Sequence, residues 1–219
     1  MPIDTQFVTY LTQVQASEGW DRILASFARF LKLDRSTCVL DVGCGPGSLV
    51  RRMAREVVFA QGCDADRYMI EQAQCLAQAE GLVNVEYRVG VLPNLPYEAD
   101  TFEVVTATNV IFLQRDPLTA LRGLARVCKP NGLVAMLNPS PLMNVVAATA
   151  LADQQGLIDF NRASFLNWAN VAEQNHRFSA EQITQMFEAI GLSGSVIESK
   201  ISGLALFAKA RKRDGGKER

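Results

Sequence analysis

Residues 39–54 read VLDVGCGPGSLVRRMA: an apolar run, then Gly43, Gly45 and Gly47 at every second position, then an amphipathic stretch. The run TCVLDV, residues 37–42, has the form of a strand buried on both faces. Glycine adopts positive φ freely and lets backbone N–H groups approach a partner with no Cβ between. A single glycine would serve a tight strand–helix crossing. Three in five positions, directly after a buried strand, point instead to a ligand held against the backbone. In open α/β sheets ligands bind beyond the carboxyl ends of the strands, where a strand turns into its helix. The helix opening after Gly47 adds a positive dipole end, which favours a carboxylate or phosphate.

Outward from this turn, helix and strand alternate. Upstream, Phe7, Tyr10, Leu11 and Val14 share one face of a helix over 4–15. Ile23, Leu24, Phe27, Phe30 and Leu31 do the same over 18–32. Downstream, the pattern predicts helix 48–55, strand 57–63, and helix 66–80 with Asp66 as N-cap and Gly81 as C-cap. Strands 84–89 and 102–108 follow, then a helix with Pro117 in its first turn and a fifth strand over 132–137. Five strands with four intervening helices predict an α/β, doubly wound, largely parallel sheet. Two helices near 142–152 and 160–172 break the rhythm. A helix opened by the capping box Ser179–Gln182 and an antiparallel hairpin over 194–210 close the chain, before the charged tail 211–219, expected to be disordered.

The 219 residues suit one domain with an elaboration, and the composition, 48% hydrophobic and 21% charged, is that of a globular protein. A net charge of −1 with scattered Lys and Arg argues against a nucleic-acid partner. The five cysteines form no CxxC pair, and the chain opens without a basic head and apolar run, so reduced thiols and a cytoplasmic location are expected. No apolar run approaches the ~18 residues that cross a membrane. A lone histidine, His176, and no paired carboxylates or thiol cluster leave no metal site in prospect.

Two glycine fingerprints compete for the turn. The dinucleotide pattern G-x-G-x-x-G needs Gly or Ala at position 48, where this chain has Ser48. The pattern present, D-x-G-x-G-x-G from Asp41 to Gly47, resembles motif I of the class I S-adenosylmethionine-dependent methyltransferases that act on small molecules. An acid at Asp41 suits a cationic amino group and would repel a diphosphate. Asp64, 21 positions after Gly43, stands where a carboxylate accepts from ribose hydroxyls, a feature that NAD would share. Residues 36–138 carry the similarity, down to the turn LARVCKPNG before the fifth strand.

The resemblance implies a Rossmann-like seven-stranded sheet in the order 3-2-1-4-5-7-6 with the seventh strand antiparallel, and S-adenosyl-L-methionine as cofactor. It implies Asp41 at the methionine end and Gly43, Cys44, Gly45 and Gly47 around the amino-acid portion. Asp64, Ala65 and Met69 fall at the ribose, Val91 and Leu92 at the adenine, Asn109 and Ile111 at the methionine moiety. Members commonly carry Gly-Asp after the third strand, the acid accepting from the adenine amino group; here Gly90-Val91 stands instead. Glu103 replaces a usual Asp outside the site.

Other residues read two ways. Cys44 is a reactive thiol at a helix start or a small space-filler. His176 is a general base or a solvent-facing loop residue. Phe7, Tyr10 and Trp20 form an aromatic lid or plain packing. The expected organisation is a lid over 1–35, a cofactor-binding core over 36–138, a helical substrate cap over 139–178 and a closing helix and hairpin over 179–210. The cap combines Leu142, Met143, Phe165 and Trp168 with five asparagines, which suits a small, largely apolar substrate. The expected function is in-line methyl transfer by a monomer or homodimer with no stable membrane association. The rivals are a non-catalytic donor-binding partner or sensor, and an NAD-dependent oxidoreductase.

Overall fold

The computed structural model describes residues 5–214. Two helices lead, α1 (Thr5–Ala16) and α2 (Glu18–Leu31), divided by Ser17, whose side chain accepts from the Trp20 N–H. The core then runs β1 (Cys38–Val42), α3 (Ser48–Ala54), β2 (Phe59–Asp64), α4 (Arg67–Ala79), β3 (Val85–Val89), β4 (Phe102–Thr108), α5 (Pro117–Val127) and β5 (Cys128–Pro139). Asp66 caps α4 through the Tyr68 N–H, and Asp116 caps α5 ahead of Pro117. An inserted pair, α6 (Val145–Gln154) and α7 (Asp159–Glu173), precedes α8 (Ala180–Ala189). The capping box between Ser179 and Gln182 opens α8. The hairpin β6 (Leu192–Lys200) and β7 (Ala205–Lys212) ends the fold.

The seven strands form one sheet in the order β3-β2-β1-β4-β5-β7-β6. The first five are parallel, and β7 runs antiparallel between β5 and β6. This is the expected Rossmann-like arrangement. Because β2 and β4 leave β1 in opposite directions, the sheet reverses its winding at β1, and the crevice of a doubly wound sheet opens at that switch. Helices α2, α3 and α4 cover one face, where Leu24, Phe27, Met53 and Ala73 pack with Val39, Leu137 and Phe207. Helices α5 and α8 cover the other, where Leu121, Leu124 and Phe187 pack with Leu40, Val105 and Met136.

Three readings of the sequence are corrected. Three helices, not four, lie between the first five strands, because β3 crosses to β4 without one. That crossover is braced from outside: Arg126 donates to the carbonyls of Leu95 and Tyr97 at 2.8 and 2.7 Å, and Gly123 lies against the Pro93 backbone. Strand β5 starts at Cys128 rather than 132, its register against β4 shifting between Phe102 and Val104. Finally, β7 runs through Lys212, two residues into the stretch expected to be disordered. Arg211 donates to the Asn131 carbonyl at 2.8 Å, and Lys212 reaches Asp100 and the Cys128 carbonyl, so these charges tie the strand down. The rest of the tail, 215–219, lies outside the described residues.

Phe207 is buried at the centre of α2's contact with the sheet, edge-on to Phe27 at 5.1 Å and close to Phe30 at 5.7 Å. Phe207→Ala is expected to cost about 3–5 kcal/mol by cavity formation. Denaturant unfolding, with the midpoint lowered at unchanged slope, checks it.

Candidate functional site

The turn leaving β1 is fastened to the neighbouring strand. Gly43 and Cys44 both donate to the Cys63 carbonyl, at 2.7 and 3.1 Å. Gly43 has φ +70°, and a Cβ there would meet Val110 Cγ2 at 2.2 Å, so only glycine fits between β1 and the end of β4. The Gly45 N–H donates to Asp64 Oδ2 at 2.8 Å, while Asp64 Oδ1 accepts from the Asp66 N–H at 2.9 Å. Burial raises the Asp64 carboxyl above its ordinary range, opposed by those N–H donors.

Asp41 lies beneath the turn, only 1% exposed. Its Oδ1 accepts from Thr106 Oγ1 at 2.7 Å, and its Oδ2 is enclosed with no hydrogen-bond partner. Burial pushes this carboxyl up to about 7; the charge of Asp64 adds to the rise and the Thr106 bond opposes it. Asn109, at the end of β4, holds φ +57° and also keeps an enclosed, unpartnered Oδ1. A non-glycine residue in that region carries strain, which proteins concentrate at functional sites.

These groups border one cavity of about 810 Å³. Gly43, Gly45, Asp64, Ala65, Met69, Val91, Leu92 and Asn109 line it, so eight of the residues singled out from the sequence meet at one wall. Four others do not line it. Asp41 and Cys44 are buried beside it, and burial holds the Cys44 thiol well above its usual range, which makes it a space-filler. Gly47 opens α3 at φ +79° and faces Tyr87 and Ala73, so its missing side chain makes room for the protein itself. Ile111 is wholly buried in the core, and its neighbours Val110, Phe112 and Leu113 line the cavity instead.

His176 is also outside. It is exposed, its ring stacks on Phe178 at 5.7 Å, and its N–H donates to the Phe112 carbonyl at 3.1 Å. Tyr10, Trp20 and Phe7 do line the cavity, facing Phe165 and Trp168 of α7. Trp20 and Trp168 meet edge-on at 5.8 Å, and Asn167 donates to the Tyr10 hydroxyl at 2.9 Å.

One residue escaped the reading of the sequence. Gln15, at the end of α1, donates from Nε2 to the Cys44 carbonyl at 3.2 Å and accepts at Oε1 from the Ser48 N–H at 2.9 Å. It caps the first turn of α3 from a distant helix. The available signal was an amide four positions after Leu11 on an otherwise apolar face.

Among the described residues no group of three or more His, Cys, Asp or Glu is placed to hold a metal ion. No helix among them is long and apolar enough to cross a membrane.

Residues 39–132 match a family described as "Methyltransferase domain". The ubiquinone biosynthesis O-methyltransferase of Roseobacter denitrificans is 34% identical over 140 residues, 63% of this chain and 54% of that protein. The chain spans about 37–54% of the length of such curated relatives. Among solved structures, a Methanococcus maripaludis protein described as a putative S-adenosylmethionine-dependent methyltransferase superposes with TM-score 0.72 at 17% identity, covering 96% of this chain and 94% of that one. Magnesium protoporphyrin IX methyltransferase of Synechocystis, solved with S-adenosylhomocysteine bound, gives 0.69 at 16% identity over 95% of each chain. The matched family is described as a methyltransferase domain, and these solved structures share the fold. Two carboxylates stand at the glycine turn, Asp64 lining the cavity and Asp41 buried beside it with one unpartnered oxygen, a setting that suits a cationic ligand.

A carboxyl raised by folding binds its proton more tightly in the folded chain than in the unfolded one. Between about pH 4 and 7 the folded state therefore holds more protons, and stability falls as pH rises. Asp41→Asn is expected to flatten that slope, so that the variant loses less stability than the parent between pH 5 and 8. Thermal unfolding across that range checks it.

Proposed function

We propose that this chain, whose residues 39–132 are a class I S-adenosylmethionine-dependent methyltransferase domain, methylates a small, largely apolar molecule held between α1, α2 and α7. The observation that carries the reading is the Asp64 carboxylate, joined to the Gly45 N–H at the wall of a cavity that continues into an aromatic chamber.

Each Asp64 oxygen already accepts one backbone N–H and retains a free lone pair, so the carboxylate takes the ribose hydroxyls without giving up the turn. Asp41 lies buried beneath the turn with one unpartnered oxygen, where its carboxylate charge favours a cationic amino group above it. Met69, Val91 and Leu92 give the base an apolar seat. The cofactor supplies a methyl group already activated on a sulfonium. What the protein adds is position and dryness: Trp20, Ile23, Phe165 and Trp168 exclude water from the reacting atoms, and the amides of Asn161 and Asn167 orient the acceptor. With His176 outside the cavity, it is not offered as a base. The non-catalytic reading shares the cofactor site and differs only in turnover.

Calorimetry separates the possibilities. S-adenosylhomocysteine is expected to release heat on binding and NAD none; no binding of S-adenosylhomocysteine would sink the proposal. Asp64→Ala is expected to weaken that binding by roughly tenfold to a hundredfold, the worth of hydrogen bonds to a charged partner. Transfer of labelled methyl across a panel of small apolar acceptors then distinguishes an enzyme from a sensor.

A further inference from the structure

We propose that the aromatic chamber of this cavity takes a nitrogen acceptor, a tertiary amine or pyridine-type base with a largely apolar body, and holds the quaternary cation that methylation makes of it. The proposal rests on the reading of the cavity as a site for S-adenosylmethionine, and names the class of acceptor for that same site.

The chain's two tryptophans, Trp20 on α2 and Trp168 on α7, both line the cavity. Their rings meet edge-on, with centroids 5.8 Å apart and planes at 83°, so together they form a corner. Phe165 continues it, its ring centroid 6.3 Å from that of Trp168. Each indole Nε1 is enclosed by protein with no hydrogen-bond partner. The N–H edges are therefore turned away from the open space, and the cavity meets the carbon surfaces of the two rings. The face of an indole carries negative potential and attracts a cation that lies within about 6 Å of its centroid.

The formal charges favour the same ligand. Among the described residues, the charged side chains lining the cavity are Glu18, Asp64 and Asp66 on the acidic side and Arg22 on the basic side. Arg22 is paired with Glu18 on the same helix. An anionic acceptor would find no unpaired cation at this wall. A phenol would find neither histidine nor lysine among the described lining residues to take its proton.

A tertiary nitrogen needs neither. In its unprotonated form, its lone pair attacks the activated methyl carbon in line. The N–C bond forms as the S–C bond breaks, and the electron pair of the broken bond returns to sulfur. No proton is lost. The positive charge passes from sulfur to nitrogen, where aromatic faces and a net acidic lining stabilise it.

The experiment titrates phenyltrimethylammonium and tert-butylbenzene, which share a shape and differ in charge, into the complex of the chain with S-adenosylhomocysteine. Because both tryptophans stand in the chamber, intrinsic tryptophan fluorescence reads its occupancy. The cation is expected to bind roughly tenfold tighter or more than the neutral isostere. Trp20→Leu is expected to bring the two within about threefold, whereas Trp20→Phe, which keeps an aromatic face, retains a larger preference. Trp168 is the reporter in both variants. A parent ratio below about tenfold overturns the proposal, as does binding of neither compound or a ratio that Trp20→Leu leaves unmoved. Failure of S-adenosylhomocysteine itself to bind, read by calorimetry, defeats the underlying reading of the cavity instead.

Discussion

The hydrogen bond from the Gly45 N–H to the Asp64 carboxylate joins the ends of β1 and β2, and the rest of the site is built around that junction. The two strands are neighbours in the sheet, with Asp41 opposite Gly62 and Val42 opposite Cys63. Their registers bring the glycine turn level with the acid that ends β2. A side chain at Gly43 would push against Val110 and separate β1 from β4, so the turn must be glycine for the sheet to stay closed on that side. The same absence of side chains exposes the backbone to the cavity.

The junction is also where charge is stored. Asp41 and Asp64 are both held in surroundings that disfavour ionisation, with burial the main cause in each case. An enclosed carboxylate with an unpartnered oxygen is a cost to the folded chain, and a cation bound nearby offsets it. The arrangement thus costs the folded chain some stability, a cost that recurs where sites bind charged ligands.

Gln15 extends the junction to the far side of the cavity. Its amide joins α1 to the glycine turn at Cys44 and Ser48, and one turn and a half earlier Tyr10 joins the same helix to α7 through Asn167 and Phe160. The α1 helix therefore borders both sides of the cavity, joined near its C-terminal end to the turn and at its middle to α7.

Much of the fold was legible in the sequence because its signals are local. The glycines after a buried strand, the N-caps Asp66 and Ser179, Pro117 in a first turn, and the apolar runs and 3.6-residue periods are set by neighbouring residues, and the elements stand where those signals put them. Eight of the residues singled out line the cavity for the same reason: they follow directly from strand ends that a doubly wound sheet gathers on one edge. What failed was non-local. The helix-free crossing from β3 to β4 depends on Arg126 reaching back to Leu95 and Tyr97, and the ordering of Arg211 and Lys212 depends on Asn131, Asp100 and Cys128. Ile111 and His176 do not line the cavity: Ile111, in the 3-10 turn Ile111–Leu113, is buried in the core, and the backbone N–H of His176 bonds to the Phe112 carbonyl while the residue stays exposed. Gln15 meets Cys44 and Ser48 only once α1 has folded back over α4 and the turn. The sequence by itself determined the strands, the turn and its acids, since each is a property of a few consecutive residues; tertiary structure alone decided which side chains face the cavity, since that depends on contacts between residues far apart in the chain.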